Sequence, residues 1–172
     1  TSLGPVPAPT KYHIAVTDAG RYLFYSGKSG SDLPLYRFDA TSTTYTQVSP
    51  TSAVFATPSP DGQRIAWFKA SLHVQAPPAW SPDGSKICFV AVDTTLSGRI
   101  GPVPFVVNVT TRKSQRYRTR DEVRAAQWIA NDAIVYLWNE RNSFVLKRFA
   151  LSTEREDNVT STLPSLNSPT IS

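Results

Sequence analysis

"PSPDGQRIAWF" (Pro58–Phe68) and "WSPDGSKICFV" (Trp80–Val90) are two versions of one phrase: Ser-Pro-Asp-Gly, two polar residues, an isoleucine, and an aromatic two places on. The turn chemistry is specific. Proline presets φ at the second position of a turn, aspartate accepts hydrogen bonds from the backbone just after it, and glycine takes the left-handed conformation that closes a tight bend. With an apolar run on either side, the phrase predicts a hairpin between two antiparallel strands. Two further segments share its register: Gly20, Leu23 and Tyr25 before it, and Asn131, Ile134 and Tyr136 after it. Leu23, Ile65, Ile87 and Ile134 are therefore expected at equivalent, largely buried places on the second strands of successive sheets.

Working outward, three of the four bends are followed by a second hairpin: "LYRFDATSTTYTQV", "FVVNVTTRKSQRYR" and "VLKRFALSTEREDNV". Bend plus second hairpin makes a four-stranded unit. Gly20 to Gly62 is 42 residues and Gly84 to Asn131 is 47, which matches the period of roughly 40–50 residues of propeller blades. Apolar residues fill both parities of the second strand, as in Ile87, Cys88, Phe89 and Val90, and that suits a sheet covered on both faces. The expected fold is all-β, part of a β-propeller, with about four four-stranded antiparallel blades of which the second is incomplete. The units fall near 11–50, 51–75, 76–120 and 121–163. "NSPTIS" (Asn167–Ser172) aligns with "APPAWS" (Ala76–Ser81), so residues 164–172 read as the start of a further blade.

The interval between the two phrases is short. Between Gly62 and Gly84 the chain offers one hairpin, "RIAWFKASLHVQ", and then passes directly to "APPAW". About half a blade is absent. Either the blade is shortened, or residues that flank an absent stretch stand side by side between Lys69 and Pro78. The second alternative stays open because a missing strand leaves a sheet edge inside a stack of blades, and such edges are normally paired or covered.

Composition bounds the chemistry. The chain has 172 residues and 40% hydrophobic content, enough for one core. No apolar run approaches 18 residues, so no membrane insertion by this segment is expected. No signal sequence opens the chain. The lone Cys88 excludes an intrachain disulfide and a cysteine-built zinc site, and His13 and His73 are the two histidines. No metal and no cofactor is called for. The net charge of +5 suits a mildly basic protein without requiring a specific nucleic-acid partner.

"SPDGQRIAW" and "WSPDGSKICF" resemble the WD-like repeats of the Tol-system periplasmic propeller and of the propeller that precedes the catalytic domain in prolyl oligopeptidase and dipeptidyl peptidase relatives. "QWIANDAIVYLWNERNSFVLKRF" (Gln127–Phe149) is further similar to one blade of the dipeptidyl peptidase propeller. The resemblance implies a non-catalytic segment acting as scaffold, substrate gate and interaction surface, with the hydrolase domain outside this chain. The alternative is a free-standing TolB-like periplasmic or secreted protein-binding propeller. It also implies a peptide substrate or protein partner, homodimer contacts through the blades, and an extracytoplasmic location: secreted, periplasmic, or the ectodomain of a membrane-anchored protein. Dipeptidyl peptidases hold the substrate amino terminus with adjacent glutamates; no Glu-Glu occurs here.

Catalytic motifs are not met. "GKSGS" (Gly27–Ser31) has Ser31 where a nucleophile elbow needs glycine, and Tyr22 stands where a phosphate-binding loop needs its leading glycine. The run "TRKSQRYRTRDEVR" places Arg116, Arg118 and Arg120 on one face of an extended strand, which reads as the charged rim of an outer blade strand. Trp67, Trp80, Trp128 and Trp138 fall at repeat positions and read as packing between blades. The loops joining second and third strands bring Lys28, Asp32, Arg99, Glu140, Arg141 and Asn142 towards one side, a mixed-charge rim suited to a peptide or partner domain. Two Asn-Val-Thr sequons mark Asn108 and Asn158 for glycosylation in a secreted eukaryotic protein.

Overall fold

The computed structural model describes residues 15–17, 20–26, 33–69, 76–92, 101–117, 119, 122–140 and 143–159. They are all strand and turn, in thirteen strands and three antiparallel sheets. The first sheet runs β1 (Ala15–Val16), β2 (Tyr22–Ser26), β3 (Pro34–Asp39), β4 (Thr44–Pro58) and β5 (Ile65–Lys69) in spatial order. The second holds β6 (Ala79–Trp80), β7 (Lys86–Val92), β8 (Pro102–Asn108) and β9 (Ser114–Arg116). The third holds β10 (Val123–Ala130), β11 (Ala133–Glu140), β12 (Ser143–Ala150) and β13 (Arg155–Asn158). In each sheet sequential strands are spatial neighbours, the up-and-down order expected of a blade.

The shortened unit is built by sharing a strand. The first half of β4 closes the first four-stranded set against β3 (Tyr36 opposite Gln47, Asp39 opposite Thr44), and its second half opens the next hairpin against β5 (Ala53 opposite Lys69, Pro58 opposite Ile65). Two irregularities let one strand serve both. At the first, the ladder shifts between Pro34 and Tyr36, and the buried Ser49 hydroxyl accepts the Leu35 N–H at 2.8 Å while donating to the Thr51 carbonyl at 2.7 Å. At the second, Phe55 takes φ 55° where the register shifts between Val54 and Thr57. Residues 70–75 lie outside the described residues, and so does the irregular backbone expected there.

The register equates the four aliphatic positions. Leu23 faces Val16, Ile65 faces Pro58, Ile87 faces Trp80 and Ile134 faces Trp128. Their burial is not equal, contrary to expectation: Ile134 is sealed, while Leu23, Ile65 and Ile87 are half-buried. The reason is coverage. Ile134 sits in the main core between the second and third sheets with Cys88, Val90, Val106, Tyr117, Val123, Ala126, Tyr136 and Phe149. Ile65 borders a smaller cluster, Phe24, Leu35, Ala53 and Ala56, where fewer strands overlap.

Candidate functional site

The repeated bends share one hydrogen-bond set. In the bend of the second sheet, Ser81 N–H donates to the Lys86 carbonyl (2.9 Å), Gly84 N–H to the Ser81 carbonyl (2.8 Å), and Lys86 N–H to the Ser81 hydroxyl (2.9 Å). Ser59, Gly62 and Arg64 repeat it, and Thr17, Gly20 and Tyr22 repeat it again. All three glycines have φ 66°. The fourth bend is different: Ala130 pairs with Ala133 around a two-residue turn, and Asn131 does not take a left-handed φ.

Within these bends the carboxylates are acceptors. The Ser81 hydroxyl donates to Asp83 Oδ1 at 2.6 Å, and the Ser85 N–H and hydroxyl add bonds of 3.0 and 2.8 Å. Those donors, Ser81 first, hold the Asp83 carboxyl down at about 2. Asp61 is lowered in the same way, by the Ser59 hydroxyl first and then Gln63 N–H. Cys88 is buried and its thiol is pushed up to about 12, chiefly by loss of solvent, so it is not a nucleophile near neutral pH.

Successive units are joined by a repeated latch that the repeat register alone does not reveal. Arg64 Nη2 donates to the Gly84 carbonyl at 3.0 Å, and its guanidinium lies 5.0 Å from the Trp80 ring; Trp80 Nε1 donates in turn to the Thr57 carbonyl at 2.9 Å. One unit on, Lys86 Nζ donates to the Asn131 carbonyl at 3.0 Å and lies 6.0 Å from the Trp128 ring, whose Nε1 donates to the Ala79 carbonyl at 2.9 Å. The signal for it is present in the phrase: a cation two residues after the glycine and a tryptophan at the end of the next first strand. At the first bend those places hold Tyr22 and Pro58. There a groove of about 410 Å³ lies between the bends, lined by Thr17, Arg21, Tyr22 and Asp61, with Arg21 paired to Asp39 at 3.1 Å.

The latches put these bends at one end of the stack. Connections between second and third strands therefore leave from the opposite end, at Ser26 to Pro34, Val92 to Pro102 and Glu140 to Ser143. Lys28, Asp32, Arg99, Arg141 and Asn142 lie outside the described residues; Glu140 is the last residue of β11, and its side chain is likewise not described. In the basic run, Arg116 ends β9, the outer strand, while Arg118 and Arg120 lie outside the described residues. Tyr117 is buried edge-on against Phe149. Asn108 ends β8, its side-chain oxygen accepting the N–H groups of Thr110 and Thr111, and Asn158 is exposed at the end of β13.

A second cleft, of about 260 Å³, lies between β5 and the second sheet. Ile65, Trp67, Phe68, Ile87, Phe89 and Val107 line it. Phe68 meets Phe89 edge-on at 5.3 Å, and Phe89 stacks on Phe105 at 5.4 Å.

Solved structures share this arrangement. The TolB-type protein of Agrobacterium tumefaciens superimposes with a TM-score of 0.62 at 14% identity over 88% of this chain and 62% of its own. TolB of Acinetobacter baumannii gives 0.59 at 13% identity over 90% and 44%, and the tricorn protease 0.58 at 10% over 87% and 22%. The fold is a TolB-like β-propeller. Its three sheets are blades of that propeller, and the chain spans less than two thirds of the length of each of these structures. No family profile and no curated protein sequence matches.

Proposed function

We propose that the chain is a non-catalytic propeller segment that scaffolds, gates and presents an interaction surface, within a serine peptidase of the prolyl oligopeptidase/dipeptidyl peptidase type whose hydrolase domain lies outside this sequence. One observation carries the reading. The side chains of the repeated bends, Ser59, Asp61, Ser81 and Asp83, are spent on building turns, and Arg64, Lys86, Trp80 and Trp128 on joining blades. That leaves the connections at the opposite end to meet a ligand. Likeness in fold to the tricorn protease supports the peptidase setting.

The second reading is a free-standing, TolB-like protein-binding propeller. It is favoured by the larger share of the TolB chains covered, 62% and 44% against 22% of the tricorn protease. Both readings put the protein outside the cytoplasm, with Asn108 and Asn158 as acceptors of glycans. A fluorophosphonate probe on the full-length protein separates them. Covalent labelling outside this segment supports the peptidase; no labelling, with a protein partner captured, supports the TolB-like module.

The rim of Lys28, Asp32, Arg99, Glu140, Arg141 and Asn142 is the proposed docking face for a peptide or partner domain. Alanine at Arg99 and Arg141 is expected to weaken processing or binding while leaving thermal stability nearly unchanged. If neutralising Arg116, Arg118 and Arg120 abolishes binding and the loop variants do nothing, the outer blade edge is the working surface. Sedimentation of the full-length protein tests homodimerisation through the blades.

A further inference from the structure

The second and third blades present equivalent faces to the unit before them, and the two faces differ in what covers them. Ile134, Tyr136 and Phe149 are 0%, 1% and 1% exposed. Their register equivalents Ile87, Phe89 and Val107 are only half-buried and line the cleft beside β5. Over the third blade, four strands of the second supply the cover, ending in Tyr117 against Phe149. Over the second blade, two strands do. On its inner side β5 pairs with β4, but among the described residues no strand pairs with its outer side, whereas β2, β7 and β11 each pair with a third strand.

We propose that the outer edge of β5 and the cleft beside it form an acceptor site for an extended peptide segment of a partner protein, which adds antiparallel to β5 as the third strand of the short blade. Main-chain bonds to an open edge give affinity, and alternate side chains entering a cleft give specificity. The chain's own third strands show what fits: "PLYRFD", "PVPFVVN" and "SFVLKRFA", short and apolar at several positions. The edge is flanked by two exposed cations, Arg64 before β5 and Lys69 at its end. A segment with acidic residues at its ends is therefore favoured. Pairing of β5 with β5 of a second copy is disfavoured, because antiparallel register sets Lys69 opposite Ile65 and beside Arg64 at both ends, and like charges across strands repel. The site stands apart from the loop rim and does not rest on it.

The test uses the 172-residue chain and a synthetic peptide carrying the Phe105–Val109 sequence, FVVNV, between glutamates. Saturable binding is expected to slow amide hydrogen exchange across Ile65–Lys69 about tenfold or more. Methylating alternate backbone nitrogens of the peptide, which removes its donors without touching the protein, is expected to weaken binding by about tenfold or more. Equal binding by the methylated peptide would overturn strand addition. So would protection confined to other segments, or a free protein that sediments as a dimer with β5 already protected.

Discussion

The junction between the β4–β5 hairpin and the second blade, and the junction between the second and third blades, carry the same latch and bury different amounts of surface. Each has a cation on the next bend's carbonyl and a tryptophan N–H on the preceding strand. Yet Ile134 is fully sealed and Ile87 is not. The latch belongs to the bend and first strand, so a two-strand unit makes it as well as a four-strand unit. Burial belongs to the third and fourth strands. Register and coverage are thus separable in this fold: the phrase sets the first locally, and the strands beyond it set the second.

The largest effect expected from that difference is in the core. Ile134→Ala should cost about 3–4 kcal/mol, since it leaves a cavity among well-packed neighbours. Ile87→Ala, at the equivalent place beside an open cleft, should cost about 1–2 kcal/mol because its methyls are partly hydrated already and water can fill the gap. Urea unfolding of the two variants measures both. Equal losses would mean that the cleft is closed in solution.

Next come the bends. Gly20 and Gly84 share φ 66°, so alanine at either carries the left-handed penalty of about 1 kcal/mol. A Cβ at Gly20 meets nothing within 4 Å, whereas at Gly84 it stands 3.1 Å from Arg64 Nη2. Gly84→Ala should therefore be the more destabilising, and the excess over Gly20→Ala reports the latch. Arg64→Met in the Gly84→Ala background should remove that excess, as read by thermal melts.

Trp80→Phe and Trp128→Phe probe the other half of the latch. Each deletes an indole N–H and leaves a carbonyl, Thr57 or Ala79, short of a donor, for about 1 kcal/mol. Similar losses at the two positions are expected if the hydrogen bond is the shared term. A much larger loss at Trp128 would show that packing against the main core dominates.

The contrast between junctions also explains what is legible in the sequence. Strand order, the equivalence of Leu23, Ile65, Ile87 and Ile134, and the glycine turns come from local chemistry, because proline, aspartate and glycine act on their own few residues. The half-exposure of Ile87 does not, since it depends on strands that the short unit lacks. Nor does the sharing of β4, which turns on Ser49 entering the ladder and Phe55 adopting φ 55°, neither of which has a compositional signature. Analogy with glycine makes Asn131 a left-handed turn residue. Its carbonyl and side chain instead accept from Lys86 and from Asp83 N–H across the junction.

The smallest effect distinguishes the two bends by pH. Asp83 takes two bonds from Ser85, N–H and hydroxyl, where Asp61 takes only the N–H of Gln63. Asp83 is accordingly held at about 2 and Asp61 is lowered. A carboxylate whose folded pKa lies below its unfolded value of about 3.9 stabilises the fold above that value, and the contribution fades as pH falls from about 4 through about 2. Both groups are exposed, so the effect is small. In pH-dependent urea unfolding, the destabilisation caused by Asp83→Asn should be present at pH 6 and shrink towards pH 2, and Asp61→Asn should show a weaker version of the same slope. Ser85→Ala removes the extra hydroxyl, and Asp83 should then titrate like Asp61. If the acid slope is unchanged in all three variants, the depressed carboxyls are not what ties these bends to pH.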